Sequence, residues 1–215
     1  MDSLQEHVKK GTTTTGIKCV DGIVLAADKR VTLGGRIIAN KRFDKVFPLT
    51  DNIALTIAGQ VSDAQLITKL LRAELKLKKI RTGRDSSVKG VANLLGTIVY
   101  QNVRRFSPFL GITGFLVGGS DDLGFHLYDI GVDGSVIEHE NYVTDGSGFM
   151  MAYGVFDTLY KPDIKVADGI KLAVKAVNAA MQRDTATGDA IDVVTVTKQG
   201  VKKVFSKEVD TNIVA

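Results

Sequence analysis

The chain has 215 residues, enough to fill the core of one domain. Its 28 basic residues face 24 acidic ones, and a net charge of +4 is too small to mark a nucleic-acid surface; the run "KLKK" from Lys76 to Lys79 reads as the solvated face of a helix. A single cysteine, Cys19, excludes an intramolecular disulfide and fits a reducing compartment, and no apolar run approaches the roughly 20 residues that span a bilayer.

The opening "MDSLQEHVKKG" lacks the apolar stretch of a secretory signal, so the protein is expected to stay in the compartment where it is made. "TTTTGIKCV" and "GIVLAAD" are strand-like runs joined by the hairpin pair Asp21-Gly22. "GGRIIAN", "KVFPLT" and "NIALTIAG" follow, the last two joined around Thr50-Asp51-Asn52, making about five short strands before residue 60. From Ser62, "SDAQLITKLLRAELKLKKI" carries apolar residues at helical spacing, with Ser62 as N-cap and Gln65 three positions on as its capping-box partner. "SSVKGVANLLGTIVYQNVRR" repeats the pattern and ends before Pro108. "ITGFLVGGS", "GFHLYDIG" and "SVIEHENYV" return to strand character; "GFMMAYGVFDTLY" and "VADGIKLAVKAVNAAMQRD" are helical; "AIDVVTVTKQGVKKVFS" closes with a strand pair around Gln199-Gly200. Helices therefore come in consecutive pairs between blocks of strands, unlike the strict alternation of a parallel sheet. That order predicts an α+β fold, a four-layer αββα sandwich of two mainly antiparallel sheets with a helix pair on each outer face. No linker or repeat divides it.

Familiar catalytic constellations are missing. His7, His126 and His139 have no spacing that suggests a metal, and none has an evident catalytic partner. There is no G-x-S-x-G elbow and no G-K-[ST] phosphate loop, and "GGRIIAN" and "GITGFLVGG" space their glycines wrongly for a dinucleotide. What remains is Thr12 to Thr15 directly behind Gly11. A threonine hydroxyl becomes a usable nucleophile beside a base, and a free α-amine, with a pKa of about 8, is such a base. That amine exists only if the chain is cut at Gly11-Thr12, where glycine could adopt the backbone geometry that folds the hydroxyl back onto its carbonyl. On composition alone the run could equally be the start of an edge strand, since threonine favours strands.

"GTTTTGIKCVDGIVLAADKRVT" resembles the start of a proteasome β subunit, and the likeness continues through "KVF", "TIAGQVSDAQ", "FLVGGSD", "TDGSGFMMAYGVFD" and "QRDTATGDAIDVV". The resemblance covers residues 11 to about 205 in order. It implies the N-terminal-nucleophile hydrolase fold, the same αββα sandwich, with residues 1–11 as a propeptide cut between Gly11 and Thr12 and residues 12–215 as one catalytic domain. Thr12 matches the nucleophile, Asp28 and Arg30 the acidic and basic residues of the second strand, and Lys45 the lysine beside the nucleophile. Gly59 matches the residue whose N–H faces the oxyanion, where a glycine would leave room for substrate. Ser147 and Asp184 match the groups that support the threonine amine, and Thr187 stands where the family has serine, adding a methyl to the site. Gly34 to Lys45 is one residue longer than the family pattern, which leaves a neighbouring pocket position to Arg42 or Phe43. The implied primary specificity pocket is formed by Val31, Thr32, Ile57, Gly59 and Val61, favouring cleavage after hydrophobic residues. The resemblance further implies a cytoplasmic threonine protease without metal or cofactor, acting on unfolded proteins. Its partners would be a homo- or hetero-heptameric β ring, α-subunit rings and an ATP-dependent unfoldase cap, with no nucleic acid and no membrane. The alternatives are a β-type subunit of the same ring that keeps its leader and is catalytically silent, the simpler bacterial two-ring protease, and a small-molecule amidase.

Overall fold

The computed structural model describes residues 11–107 and 111–209. In chain order the strands are β1 (Thr13–Cys19), β2 (Gly22–Asp28), β3 (Val31–Leu33), β4 (Ile37–Asn40), β5 (Val46–Pro48) and β6 (Ile53–Gly59). Helices α1 (Val61–Thr82) and α2 (Val88–Val103) follow. Then come β7 (Thr113–Asp121), β8 (Gly124–Ile130), β9 (Val136–Glu138) and β10 (Tyr142–Gly146). Helices α3 (Phe149–Leu159) and α4 (Val166–Met181) precede β11 (Ala190–Thr197) and β12 (Gly200–Glu208).

The strands make two five-stranded antiparallel sheets, β10-β1-β2-β11-β12 and β5-β6-β7-β8-β9, beside a β3–β4 ribbon. Because side chains alternate along a strand, each sheet serves two cores. Ile23, Leu25 and Ala27 of β2 meet Ala54, Leu116 and Leu127 of the second sheet in the midplane. Val24 and Ala26 of the same strand pack under α3 and α4 with Ala152, Phe156, Ala173 and Val177. Ile53, Leu55 and Ile57 of β6 do the same beneath α1 and α2 with Ile67, Leu71, Val91 and Leu95. The four-layer αββα sandwich is the expected architecture. No helix among the described residues is long and apolar enough to cross a membrane.

Three local expectations are corrected. α1 starts at Val61 with Gln60 as its N-cap and no side-chain cap; Ser62 sits inside the first turn with its hydroxyl on Asp63, 3.2 Å away. The start is set by the backbone of the β6–α1 corner, where the Gln60 N–H bonds the Ile112 carbonyl at 3.0 Å, so no capping hydroxyl is required. Six strands, not five, precede residue 60 among the described residues, because Val31–Leu33 pairs with Ile37–Asn40 across a turn at Gly34 and Gly35. "SVIEHENYV" is two strands in different sheets: β9 pairs with β8, and β10 crosses over to pair with β1. α2 ends before Pro108 as expected, with Pro108 itself outside the described residues.

Candidate active site

The site lies where β1 begins and β2 ends. The midplane core reaches Ala27, and Asp28 is the next residue, 0% exposed. A carboxylate in that position needs partners on both oxygens. Oδ1 accepts from the Thr13 N–H at 3.0 Å and Lys45 Nζ at 2.9 Å; Oδ2 accepts from the N–H groups of Arg30 and Gly188 at 3.0 Å each and from Nζ at 3.0 Å. Burial pushes the Asp28 carboxyl above its ordinary value, opposed by Lys45 and by the Thr13 and Gly188 N–H groups. Lys45, 3% exposed at the residue preceding β5, is pulled by burial below the usual ammonium range, with Asp28 opposing. A buried ammonium so poised can exchange a proton more readily than a surface lysine.

Lys45 also reaches forward, with Nζ 3.4 Å from the Gly11 carbonyl oxygen. The Thr12 hydroxyl donates to that same oxygen at 2.5 Å. Behind Thr12, its N–H donates to Ser147 Oγ at 3.2 Å, and the Ser147 hydroxyl donates to Asp184. Thr187 donates to Asp184 at 2.6 Å and meets the Thr13 hydroxyl at 2.8 Å. The extra methyl of Thr187 is accommodated, since its hydroxyl reaches both neighbours and the residue is buried.

Gly11 has a steric reason to be glycine: a Cβ there would lie 1.7 Å from the Ala186 Cβ. It is not among the described glycines with positive φ. Gly59 has a backbone reason: φ is 121°, and a Cβ would fall 2.3 Å from the Ile112 carbonyl oxygen. Room for a substrate is therefore not what alone dictates glycine there.

Sequence and structure meet at the longer arm. A register shift between Val31 and Thr32 pairs Asn40 with the first and Ile38 with the second, leaving Ala39 opposite no partner. A bulge of this kind takes up an extra residue within the ribbon, and Lys45, not the exposed Lys41, faces Asp28. Arg42 turns outward to Glu208 at 2.9 Å, whereas Phe43 packs against the core beneath α1 and α2. Of the expected pocket residues, Val31, Thr32 and Val61 are half-buried, and the Thr32 hydroxyl has no hydrogen-bond partner among the described residues. Ile57 is 6% exposed and points into the core beneath α1 and α2, so little of it is open to a ligand.

Sequence reasoning missed Thr13, Ala186, Gly188 and Asp189. Thr13 supplies an N–H to Asp28 and a hydroxyl to Thr187. The four-threonine run signalled a special site, yet only its first member stood out. Arg30 does not touch Thr12; it holds Asp189 and the Thr185 carbonyl. His126 sits between Glu138 and Asp121, at 2.7 and 3.4 Å, on the second sheet; His7 lies outside the described residues. Cys19 is buried, which pushes its thiol up to about 12 and leaves it inert as a nucleophile.

A threonine hydroxyl against a peptide carbonyl, with a buried lysine on the carbonyl oxygen and a hydroxyl–carboxylate chain behind the threonine nitrogen, supplies what a threonine-based amide hydrolase needs. Comparison with known proteins gives the family. The family model described as Proteasome subunit matches residues 8–196. A proteasome subunit beta of Archaeoglobus profundus is 44% identical over 210 residues, covering 98% of this chain and 95% of the relative. One of Methanocaldococcus fervens is 44% identical over 204 residues, 94% of this chain and 89% of the relative. Proteasome subunit beta 1 of Thermococcus onnurineus is 43% identical over 201 residues, 94% and 96% of the two chains. The chain belongs to the proteasome subunit family, as a β-type subunit of the proteasome core. Membership implies threonine-type endopeptidase activity and assembly into the core with α subunits.

Proposed function

We propose that Thr12 is the nucleophile of this subunit, unmasked by its own attack on the Gly11–Thr12 peptide, with residues 1–11 as propeptide and 12–215 as the catalytic domain. The observation that carries the reading is that the Thr12 hydroxyl and the Lys45 ammonium converge on one oxygen, that of Gly11. In the first reaction the Thr12 oxygen adds to the Gly11 carbonyl carbon, its proton passing to water, from which the leaving nitrogen regains it, while the Lys45 ammonium stabilises the charge on the carbonyl oxygen. The C–N bond then breaks as the nitrogen takes up a proton, leaving an ester between Gly11 and the Thr12 oxygen. Water hydrolyses the ester, releasing the leader as a carboxylate and freeing the Thr12 amine.

That amine is the base for the second reaction. It takes the hydroxyl proton while the oxygen attacks a substrate carbonyl, the Gly59 N–H receives the oxyanion, and the acyl-enzyme ester is hydrolysed in turn. Ser147, Asp184 and Thr187 orient the amine; Asp28 holds Lys45; Arg30 acts from behind them. Substrates are unfolded chains, bound with an apolar residue toward Val31, Thr32 and Val61. A closed chamber keeps such a nonspecific protease harmless, which favours a heptameric β ring between α rings in the cytoplasm, fed by an ATP-dependent unfoldase.

Mass spectrometry after co-expression with an α subunit tests the reading: the chain is expected to lose residues 1–11 and the particle to hydrolyse peptides. A chain whose Thr12 follows only a removable initiator methionine is expected to be active without self-processing. In the intact chain the Thr12 nitrogen is an amide, its lone pair delocalised and unable to act as a base. Particles that keep Met1 yet match the leaderless rate would show that the amine is not the base.

The seat of Gly11 gives a second expectation. Gly11→Ala drives a methyl into Ala186, displacing the scissile carbonyl, and a misplacement near 1 Å slows self-cleavage about 100-fold. Adding Ala186→Gly is not expected to rescue it, because the Cα and carbonyl oxygen of residue 186 would still lie 2.5 Å from the new methyl; parental processing by Gly11→Ala, followed by mass spectrometry over time, would reject the steric account.

A further inference from the structure

Asp189 lies outside the groups just assigned, yet the loop that carries several of them depends on it. Residues 184–189 are most of the segment that joins α4, ending at Met181, to β11, beginning at Ala190. Their N-terminal end is tied down, with the Asp184 N–H on the Ala180 carbonyl at 2.7 Å. The loop then presents the Asp184 carboxylate to Ser147, the Ala186 methyl to Gly11, the Thr187 hydroxyl to Thr13 and the Gly188 N–H to Asp28. Its far end is Asp189, 8% exposed and at φ 67°, the one non-glycine with positive φ among the described residues. Aspartate tolerates that left-handed conformation better than most residues, but it does not enforce it.

What fixes it is Arg30. Nε bonds Asp189 Oδ2 at 2.8 Å, Nη2 bonds Oδ1 at 3.2 Å, and the remaining arm, Nη1, takes the Thr185 carbonyl at 2.8 Å. One guanidinium thus grips the loop at two points, four residues apart, with a planar fork that lysine cannot reproduce. The backbone N–H of Arg30 itself bonds Asp28, so the grip is referenced to the carboxylate that holds Lys45. On the outer side, the Asp189 carbonyl accepts the Val209 N–H at 2.8 Å, tying the turn to the end of β12.

We propose that Asp189 is a positioning residue for this active site. Through its two-pronged pair with Arg30 it holds residues 184–189 so that the Gly188 N–H reaches Asp28 and the Thr187–Asp184–Ser147 chain reaches Thr12. The inference rests on the proposed function of Thr12. Loss of the pair lets Gly188 withdraw from Asp28. The Thr12 amine, the base of the proposed reaction, then loses acceptors that favour its charged form, so its pKa falls and the acid limb of the pH–rate profile moves to lower pH.

Two substitutions separate the grip from mere tolerance of the turn. Asp189→Gly frees the backbone for φ 67° and removes the carboxylate; Asp189→Asn keeps a side chain that accepts the conformation and one acceptor oxygen, but drops the charge. Both are made in the leaderless chain, assembled with α subunits, and read by peptide hydrolysis across pH. A loop displaced by about 1 Å predicts a fall in kcat of about 10- to 100-fold for Asp189→Gly, with KM little changed and the acid limb shifted downward. Asp189→Asn is expected to fall between it and the parent. Parental kcat and an unmoved pH profile in Asp189→Gly, or in Asp189→Asn should the glycine form not assemble, would overturn the role of Asp189. Peptide hydrolysis surviving in Thr12→Ala would instead overturn the reading of the site on which this one stands.

Discussion

Thr12→Ala is expected to give a folded, assembled subunit that neither sheds residues 1–11 nor cleaves peptides. In the proposed mechanism one oxygen performs both reactions, so both are expected to vanish together. Losing an essential nucleophile lowers the rate by on the order of 10⁶-fold, down to what binding and oxyanion stabilisation supply alone. The effect on the fold is small by comparison. Among the described residues the hydroxyl makes one hydrogen bond, to the Gly11 carbonyl, worth about 1 kcal/mol net, and the Asp28 contacts of Thr13, Arg30 and Gly188 stay in place. Thr12→Ser keeps the hydroxyl and the amine and retains partial activity. Intact mass reports processing, and turnover of a short peptide reports the second reaction. Removal of the leader by Thr12→Ala chains, or turnover near the parental rate, would remove Thr12 from the mechanism.

Legibility followed how local each signal was. The layer order could be read because each element carries its own period: β2 is apolar on both faces, and α4 has buried residues recurring at helical spacing from Gly169 to Ala180. The division of "SVIEHENYV" could not be read, because it depends on which sheet each half pairs with, and both halves are equally strand-like. The same holds for Ile57. Its residue type suited a pocket wall, but the parity of β6 turns it toward α1 and α2. The start of α1 was misjudged for a related reason: Ser62 is a good cap in isolation, and the corner at Gly59 made a cap unnecessary. At the site, the resemblance pointed to Thr12, Asp28, Lys45, Ser147 and Asp184, and Lys45 stands where the bulge at Ala39 allows it to stand. Thr13, Ala186 and Asp189 contribute through a backbone N–H, a methyl group and a left-handed turn. None of those leaves a mark in residue type or spacing.

Lys45→Ala is expected to lower both self-cleavage and peptide turnover by on the order of 10²-fold or more, the scale for losing a positioned electrostatic or proton-transfer group. The ammonium lies 3.4 Å from the Gly11 carbonyl oxygen, the oxyanion of the proposed processing reaction. Stability falls as well. Asp28 is fully buried and Lys45 contacts both its oxygens; stripping one member from a buried pair destabilises by about 3–5 kcal/mol. Three backbone N–H groups remain on Asp28 and soften that loss. Lys45→Arg separates the two effects. It restores a permanent cation for Asp28, and so much of the stability, but a planar guanidinium does not reproduce the compact ammonium that lies on the reacting carbonyl oxygen. Its melting temperature should therefore approach that of the parent while its turnover stays low. Lys41 is exposed, and Lys41→Ala should be neutral in both measurements. If Lys45→Ala turned over peptides normally while Lys41→Ala did not, the lysine of the mechanism would be on the wrong side of the bulge, and the geometry around Asp28 would be a structural ion pair only.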